Sequence, residues 1–286
     1  MFMTRLLVTL DGRILDADQP ILHSDDSGFV RGDGCFETIL VREGRPCVVG
    51  WHLARLATSA AMLDLSEPNL ETWRNAIDIA VREWGVANEG MMRLLLTRGR
   101  ESGGEPTALV TVTEVPERIV NGRANGIGVV TLERGFSTDL AKVAPWQLLG
   151  AKTLSYATNM AALRHAGREG ADDVVFISTD GKVLEGPRST VVITRGRTLL
   201  TPPTEFGILP GTTQRALFAV AQNRGYTCEY VPLERADLDN ADGLWLMSSV
   251  ALGALVHTLD GRSLAVPAVA AEIAEMVDQA VATIGG

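Results

Sequence analysis

Lys152 is the only charged residue between positions 143 and 163, and its neighbours in the segment LLGAKTLSYATNMAA are apolar or small. Burial among such residues lowers the pKa of a lysine and makes its neutral amine available. A neutral amine is what Schiff-base formation with a carbonyl compound requires. A structural lysine that extends from a helix start toward solvent fits the same segment, so this residue alone leaves both interpretations open.

Glu185 follows a predicted turn and precedes a predicted strand in the segment DGKVLEGPRSTVVI. A carboxylate in this place is suited to hydrogen-bond the protonated nitrogen of a pyridine ring, which keeps the ring able to accept electrons. A solvated glutamate at the end of a strand is the alternative interpretation.

Further positions offer groups that bind phosphate. Thr212 and Thr213 open a predicted helix directly after a Pro-Gly turn, and the N–H groups at a helix start bind phosphate readily. Ser248 and Ser249 follow an apolar strand and could complete the same site, while Arg55 on an earlier helix could supply positive charge. The alternative roles of these residues are an ordinary helix cap, a turn and a surface charge.

The hydrophobic pattern predicts the elements that must position these residues. In the first part of the chain, turn residues between alternating apolar residues predict two hairpins. Apolar residues at helical spacing then predict two helices before two further strands. The predicted hairpins cover 5–15 and 35–49, the helices 52–63 and 70–84, and the strands 92–97 and 108–113. This part is α+β in character, with strands that pair locally.

A polar segment rich in Gly and Asn predicts an interdomain linker over 118–127. The linker divides the chain into an N-terminal α+β domain, 1–117, and a C-terminal α/β domain, 128–286. The predicted C-terminal elements are strands over 128–132 and 244–248, a strand pair over 173–178 and 190–194, and helices over 153–167, 212–225 and 266–284. Thr212 is predicted to cap the second of these helices, and Gly225 to follow its end.

The bulk properties disfavour several classes of function. The net charge of -9, from 26 basic and 35 acidic residues, is unlike that of proteins that bind nucleic acid or anionic membranes. No stretch is long and apolar enough for a membrane span, and three cysteines at unrelated spacings fit a reducing cytoplasm. No two histidines have metal-site spacing. The sequence therefore predicts a cytoplasmic, soluble protein without a metal.

Six segments follow one another in an order that resembles a known family. These segments are RGDGCFET, HLARL, AKTLSYATN, DGKVLEGPRST, ILPGTT and MSSVALGA, between Asp26 and Arg262. The series is similar to the class IV aminotransferases, which include branched-chain aminotransferases, D-amino acid aminotransferases and 4-amino-4-deoxychorismate lyases. The resemblance implies a two-domain, fold type IV structure like D-amino acid aminotransferase, with pyridoxal 5′-phosphate in the interdomain cleft. It also implies a homodimer and a small-molecule amino substrate.

The resemblance assigns a role to each candidate residue. Lys152 matches the lysine that carries the cofactor as a Schiff base and moves protons, and Glu185 matches the partner of the pyridine nitrogen. The other matches are phosphate-binding residues and a neighbour of the cofactor ring: Arg55, Thr212, Thr213, Ser248 and Ser249 for the phosphate, and Tyr156 for the ring.

The reaction is not set by these residues, because the members of the family share them. The segment TRGRESGGEPT lacks the second Arg and the His of the TRGxxPRxH pattern of D-amino acid aminotransferases, and it resembles the glycine-rich loop of the lyases. Thr38 matches a catalytic hydroxyl of the lyases, whereas Tyr156 stands where lyases have Arg. Arg98 or Arg31 could bind the substrate carboxylates.

The leading hypothesis is therefore a 4-amino-4-deoxychorismate lyase, which makes 4-aminobenzoate and pyruvate for folate synthesis. The alternative is an aminotransferase of D-amino acids or branched-chain amino acids that uses the same lysine. A non-catalytic cofactor-binding protein of the same fold is a third hypothesis.

Overall fold

The computed structural model describes residues 5–283. Contacts within the chain divide these residues into two units: unit 1 contains 5–116 and 151–156, and unit 2 contains 117–150 and 157–283. The first passage between the units lies at 116–117, where the predicted N-terminal domain ends at 117, and the predicted domains contain no return of 151–156 to unit 1. The ends of those domains, at 1–4 and 284–286, lie outside the described residues.

Unit 1 is built on an antiparallel sheet of strand order β2-β1-β6-β5-β3-β4. The strands are β1 (Arg5–Thr9), β2 (Ile14–Leu15), β3 (Gly34–Arg42), β4 (Arg45–Pro46), β5 (Gly90–Thr97) and β6 (Ala108–Glu114), and the helices are α1 (Ser27–Arg31), α2 (Val49–Met62) and α3 (Leu70–Trp84). Both predicted hairpins and both predicted helices are confirmed, although α2 begins earlier than the expected His52.

The core of unit 1 lies between one face of this sheet and helices α2 and α3. Alternate residues of β3, including Cys35 and Ile39, are buried against Leu56 of α2 and Trp73 of α3. Helix α3 is capped by Asn69, whose side chain accepts the N–H groups of the first turn. Because side chains alternate along a strand, the residues between these core positions point to the opposite face of the sheet.

Unit 2 contains a mixed sheet of strand order β11-β10-β9-β12-β13-β7-β8, with β14 paired to β13. Its strands are β7 (Ile127–Glu133), β8 (Asp173–Ile177), β9 (Thr190–Arg195), β10 (Thr198–Thr201), β11 (Thr227–Tyr230), β12 (Gly243–Ser248), β13 (Leu252–Leu259) and β14 (Arg262–Ser263). Its helices are α4 (Glu117–Asn125), α5 (Leu140–Val143), α6 (Ala157–Arg168), α7 (Thr212–Asn223), α8 (Arg235–Asp239) and α9 (Ala270–Thr283), with 3-10 turns at Pro145–Gln147 and Thr204–Phe206. Val191, Ile193 and Leu246 are among its buried core residues.

Two predictions for unit 2 differ from the structure. The segment 118–127, expected as a linker, forms most of helix α4, and Arg123 of this helix donates a hydrogen bond from Nε to the carbonyl of Val250 at 2.8 Å. The expected strand pair over 173–178 and 190–194 is present as strands β8 and β9, but these two strands are not neighbours in the sheet. The polar composition of 118–127 does not reveal that this segment is helical, and the short separation of 173–178 from 190–194 does not reveal that the two strands are apart in the sheet. Both arrangements depend on contacts with residues that are distant in the sequence.

Three predicted helix boundaries also change. The helix expected from Thr153 begins at Ala157. Helix α7 begins at Thr212 with Gly211 as its cap, so Thr212 is the first helical residue rather than the cap, while Gly225 follows the helix with a positive φ of 78°, as predicted. The last helix begins at Ala270 rather than 266, and its expected end at 284 lies outside the described residues. No helix within residues 5–283 has the length and apolar character that crossing a membrane would need.

Candidate active site

The segment that carries Lys152 is extended and pairs with the beginning of β3. Phe36 N–H donates to the carbonyl of Lys152 at 3.0 Å, and Leu154 N–H donates to the carbonyl of Gly34 at 2.8 Å. The N–H of Lys152 itself donates to the hydroxyl of Ser59, a buried residue of α2, at 3.0 Å. These backbone hydrogen bonds fix the position from which the lysine side chain extends.

Two aromatic rings flank the amine of Lys152. Its Nζ lies 4.5 Å from the centroid of the Phe36 ring and 5.9 Å from that of Tyr156. The two rings are 5.4 Å apart and nearly perpendicular, at 84°, which is a favourable edge-to-face geometry. The predicted Schiff-base lysine and the predicted ring neighbour are therefore brought together within unit 1.

A buried carboxylate on the helix-facing side of β3 holds two basic residues of α2. Glu37 is fully buried, and it accepts hydrogen bonds from Nε and Nη2 of Arg55 at 2.7 and 2.8 Å. Nδ1 of His52 lies 2.7 Å from the same carboxylate. His52 and Arg55 lie about one turn apart on α2, so their side chains emerge on the same side of the helix. The two-point contact fixes the plane of the Arg55 guanidinium.

Burial and charge act in opposite directions on this cluster. Burial raises the pKa of Glu37, but the charge and hydrogen bonds of Arg55, together with His52, outweigh burial, so the pKa lies well below its ordinary range. Burial lowers the pKa of His52, and its hydrogen bond to Glu37 offsets this only in part. The positive charges of Arg55 and Lys152 lower the His52 pKa further. The cluster therefore contains an ionised carboxylate and a neutral imidazole whose Nδ1–H donates to it.

The face of the unit 1 sheet opposite α2 presents Phe36 and Thr38. They occupy alternate positions of β3 and therefore share a face. Thr38, the predicted lyase hydroxyl, is half-buried and lies directly opposite Arg93 of β5. Because the amine of Lys152 lies over the Phe36 ring, the amine, the Thr38 hydroxyl and the Arg93 side chain are all on this face of the sheet.

Arg98 and Arg31, the predicted substrate-binding arginines, have other partners. The guanidinium of Arg98 forms an ion pair with Asp33, with Nε 2.6 Å from Oδ2, and also donates to the carbonyls of Leu63 and Asp64. Arg31 is exposed and pairs with Glu101 at 2.8 Å. These contacts connect the ends of neighbouring elements, and they account for both charges within unit 1.

In unit 2, Glu185 is half-buried in the segment between β8 and β9. Its Oε2 accepts a hydrogen bond from the N–H of Leu209 at 3.1 Å. Leu209 lies just before helix α7, so this contact ties the predicted pyridine partner to the segment that leads into the predicted phosphate site.

The start of α7 carries the two predicted threonines. Thr212 and Thr213 are buried in the first turn, and the N-cap residue Gly211 supplies no side-chain hydrogen bond to this helix start. Gly211 lies so close to β9 that a Cβ atom there would be 2.2 Å from Thr190 Oγ1. A helix start without a side-chain cap, flanked by hydroxyls, has the donor groups that a phosphate needs.

Ser248 and Ser249 lie where β12 ends, next to the beginning of β9. Strands β12 and β9 are antiparallel, and Met247 pairs with Thr190. Ser189 precedes β9, and its hydroxyl is buried without a hydrogen-bond partner among residues 5–283. A buried hydroxyl without a partner in the chain is available to form a hydrogen bond with a polar group of a bound ligand. These serines and the start of α7 therefore lie around the same end of β9 and together fit a phosphate group.

The sequence interpretation missed several residues of this arrangement, namely Phe36, Glu37, His52, Ser59, Arg93 and Ser189. Ser59, Glu37 and Arg93 each occur in patterns typical of ordinary strand or helix residues. The residues that face them belong to other elements: Lys152, Arg55 and Thr38 respectively. The signal that could have found Glu37 is its position: a charged residue among the inward-facing apolar residues of β3 requires a buried partner.

Known proteins resemble this chain over most of its length. The model of the family described as amino-transferase class IV matches residues 34–257. A bifunctional aminodeoxychorismate lyase / D-amino acid transaminase from Mycobacterium tuberculosis is 53% identical over 285 residues, with 96% of this chain and 99% of that protein covered.

Solved structures of a hypothetical aminotransferase from Mycobacterium tuberculosis also match. Its PLP-bound form has a TM-score of 0.95 and 54% identity, and covers 97% of this chain and 98% of that chain. Its α-ketoglutarate- and PMP-bound form has a TM-score of 0.95 and 54% identity, and covers 96% of this chain and 98% of that chain.

Proposed function

Because the chain belongs to the class IV aminotransferase family, we propose that it cleaves 4-amino-4-deoxychorismate to 4-aminobenzoate and pyruvate, and that the same site transaminates D-amino acids. The chain is an enzyme of this family, and its cofactor is pyridoxal 5′-phosphate. The observation that carries the proposal is that the Lys152 amine lies over Phe36, on the sheet face that presents Thr38. The name of the Mycobacterium tuberculosis relative supports both activities.

The residues present fit this cofactor. The uncapped start of α7 and the unpartnered hydroxyl of Ser189 offer donors to a phosphate, and Arg55 offers a charge whose orientation Glu37 fixes. Glu185 offers a carboxylate to the pyridine nitrogen, and Lys152 an amine to the aldehyde. The full set that we assign to the cofactor is Arg55, Lys152, Tyr156, Glu185, Ser189, Thr212, Thr213, Ser248 and Ser249.

The reaction uses few groups of the chain. The bound cofactor supplies an electron sink for the substrate carbon that bears the amine. Lys152 removes the proton from that carbon as a general base. In the lyase reaction the electrons left behind expel the enolpyruvyl oxygen, so the ring becomes aromatic and pyruvate is released. In transamination Lys152 would hold the proton removed from the substrate carbon and supply it again to the bound cofactor, which would keep the amino group. Thr38, on the same face as the amine, orients the substrate.

The test supplies cofactor-loaded protein with 4-amino-4-deoxychorismate and no keto acid, and measures 4-aminobenzoate and pyruvate. A second reaction supplies D-alanine with α-ketoglutarate, and L-leucine replaces D-alanine to probe the branched-chain alternative. We expect repeated turnover in the first reaction and a clear preference for D-alanine in the second. Turnover of L-leucine alone would contradict the proposal.

The variant Lys152→Ala tests whether both activities depend on this lysine. We expect the variant to lose both activities and the visible absorbance of the bound cofactor, because Lys152 is the residue that we propose to form the Schiff base. Lys142→Ala, at an exposed lysine of α5, is the matched control and should keep both. Thr38→Val should lower the lyase rate by about 100-fold and the transaminase rate less. Turnover in Lys152→Ala would overturn the assignment.

The homodimer that the resemblance implies, and the cytoplasmic location that the cysteine content predicts, belong to the same proposal. Sedimentation of the cofactor-loaded protein at micromolar concentration should give twice the mass of the chain, and a monomer with full activity would refute the dimer.

A further inference from the structure

The amine of Lys152 lies over the face of the Phe36 ring. Its Nζ is 4.5 Å from the centroid of this ring, within the distance of about 6 Å over which an aromatic face attracts a cation. The attraction is electrostatic, because the face of the ring carries partial negative charge. The ring therefore stabilises the ammonium form of the amine relative to the neutral form.

Backbone and side-chain contacts hold the ring and the amine in this arrangement. The N–H of Phe36 donates to the carbonyl of Lys152 at 3.0 Å, so the two residues are also joined at the backbone. The Phe36 ring packs edge-to-face against Tyr156, with the ring centroids 5.4 Å apart, and both Phe36 and Lys152 are half-buried. A ring that is held in place and partly shielded from water attracts a cation more strongly than an exposed ring does.

The carboxylate that follows Phe36 in the sequence does not take this place. Glu37 points to the opposite face of β3, where it accepts hydrogen bonds from Arg55 and lies 2.7 Å from His52. On the side of β3, the amine of Lys152 therefore meets an aromatic ring rather than an acid. A carboxylate beside the amine would hold it charged, whereas the weaker attraction of a ring allows the amine to gain and lose its proton.

We propose that the Phe36 ring stabilises the positive charge that Lys152 acquires when it takes the proton from the substrate carbon. This inference rests on the proposed function, in which Lys152 is the general base. In that step the C–H bond breaks, its electron pair passes to the electron sink that the bound cofactor supplies, and the proton forms a new N–H bond with the lone pair of Nζ. The amine changes from neutral to charged, and a ring already fixed beside it stabilises the charge without having to move. Phe36 is then a catalytic residue of both reactions, since both include this proton transfer.

Fluorination of the ring tests this role with little change in its size. Phenylalanines with one, two or three fluorine atoms on the ring replace Phe36 in the full chain, and each fluorine withdraws negative charge from the ring face. The cofactor-loaded protein is mixed with D-alanine, and the change in visible absorbance gives the rate of proton transfer. D-alanine deuterated at the reacting carbon identifies this step by its slower rate. We expect the rate to fall with each fluorine, by about tenfold over the series.

A second measurement uses the cofactor-free protein and does not depend on turnover. Trace acetylation of Lys152 at a series of pH values, followed by mass spectrometry, gives the pH midpoint at which the amine takes up its proton. Because a fluorinated ring stabilises the ammonium less, the midpoint should move to lower pH with each fluorine, by up to about one pH unit. The titratable and charged side chains of the neighbouring elements, namely Glu37, His52, Arg55 and Arg93, are the same in every protein, so the shift reports on the ring alone.

Phe218 supplies the matched control, because its ring forms a similar edge-to-face pair with Tyr230, with the centroids 5.5 Å apart. Three fluorine atoms at Phe218 should leave both the rate and the midpoint as in the wild type. Phe36→Tyr keeps an aromatic face and should retain most of the rate. Phe36→Leu removes the ring and should lose at least as much of the rate as the fluorinated series.

A graded fall of both the rate and the midpoint with the number of fluorine atoms supports the inference. An unchanged midpoint, or an unchanged rate of proton transfer, overturns it. Wild-type protein that turns over neither substrate would refute the proposed function, and the midpoint would still decide whether the ring stabilises the ammonium.

Discussion

Glu37, His52 and Arg55 form a cluster in which the charge of one residue determines the protonation of another. The Arg55 guanidinium keeps Glu37 ionised, and burial keeps His52 neutral. Removal of one partner from such a buried group leaves an uncompensated charge and costs about 3 to 5 kcal/mol. The cluster therefore holds the Arg55 guanidinium in its orientation only while Glu37 is ionised and His52 is neutral.

The protonation of His52 predicts a pH dependence of stability. Its folded pKa is lower than the ordinary value of 6.5, so below about pH 6.5 the unfolded chain takes up a proton that the folded chain does not. The free energy of unfolding should therefore decrease as the pH falls from neutrality through that value. His52→Asn keeps a donor for Glu37 but does not titrate, and we expect it to show a shallower decrease.

Thermal unfolding of the cofactor-free proteins at several pH values checks this prediction. His257→Asn, at an exposed histidine, is the control and should follow the wild type. Parallel wild-type and His52→Asn curves would show that His52 does not contribute to the pH dependence.

At the scale of elements, the pairing of residues 152–154 with the beginning of β3 determines where the Lys152 side chain starts. This pairing requires a close approach at Gly34. A Cβ atom there would be 2.5 Å from the carbonyl oxygen of Leu96 and 2.8 Å from Leu154 Cδ1. Gly34 is therefore needed because it has no side chain, which leaves space between β5 and residues 152–154.

Gly34→Ala should displace the lysine segment from β3. We expect a loss of about 1 to 3 kcal/mol in the free energy of unfolding, since the added methyl group overpacks a buried position. The affinity for pyridoxal phosphate, measured by titration of the visible absorbance, should fall as well. Gly167→Ala is the matched control, because a Cβ atom at that position of α6 has no neighbour within 4 Å. Unchanged cofactor affinity in Gly34→Ala would contradict this account of the pairing.

At the scale of the whole molecule, residues 151–156 belong to unit 1 although the chain on both sides belongs to unit 2. Within residues 5–283 the chain therefore passes between the units three times. A cut at the predicted linker would leave Lys152 with the fragment that lacks β3 and Ser59, the partners of its backbone.

This division predicts the behaviour of a fragment. Residues 128–286 contain Lys152 and Glu185, but we expect them to show no visible absorbance with pyridoxal phosphate, because the lysine segment has no strand to pair with. The full chain under the same conditions is the control, and circular dichroism shows whether the fragment is folded. A folded fragment that binds the cofactor as the full chain does would refute the argument.

The sequence by itself determined the family, the first hairpins and most helices. These features depend on relations between near neighbours: turn residues such as Gly44, with a positive φ of 69°, follow from local sterics, and apolar residues at helical spacing follow from the helix period. The family motifs are likewise recognised from their own residues and from their order in the chain, so the sequence was enough to identify Lys152 and Glu185 as candidate site residues.

Only the tertiary structure decided the arrangement of the groups around Lys152. The segment 152–154 is extended rather than helical because its N–H and C=O groups pair with Gly34 and Phe36, more than a hundred residues away. The position of Arg93 opposite Thr38 is likewise visible only when β3 and β5 are paired. Local periodicity cannot encode such contacts, since the energy of a hydrogen bond or a buried charge depends on which distant residue the fold places beside it.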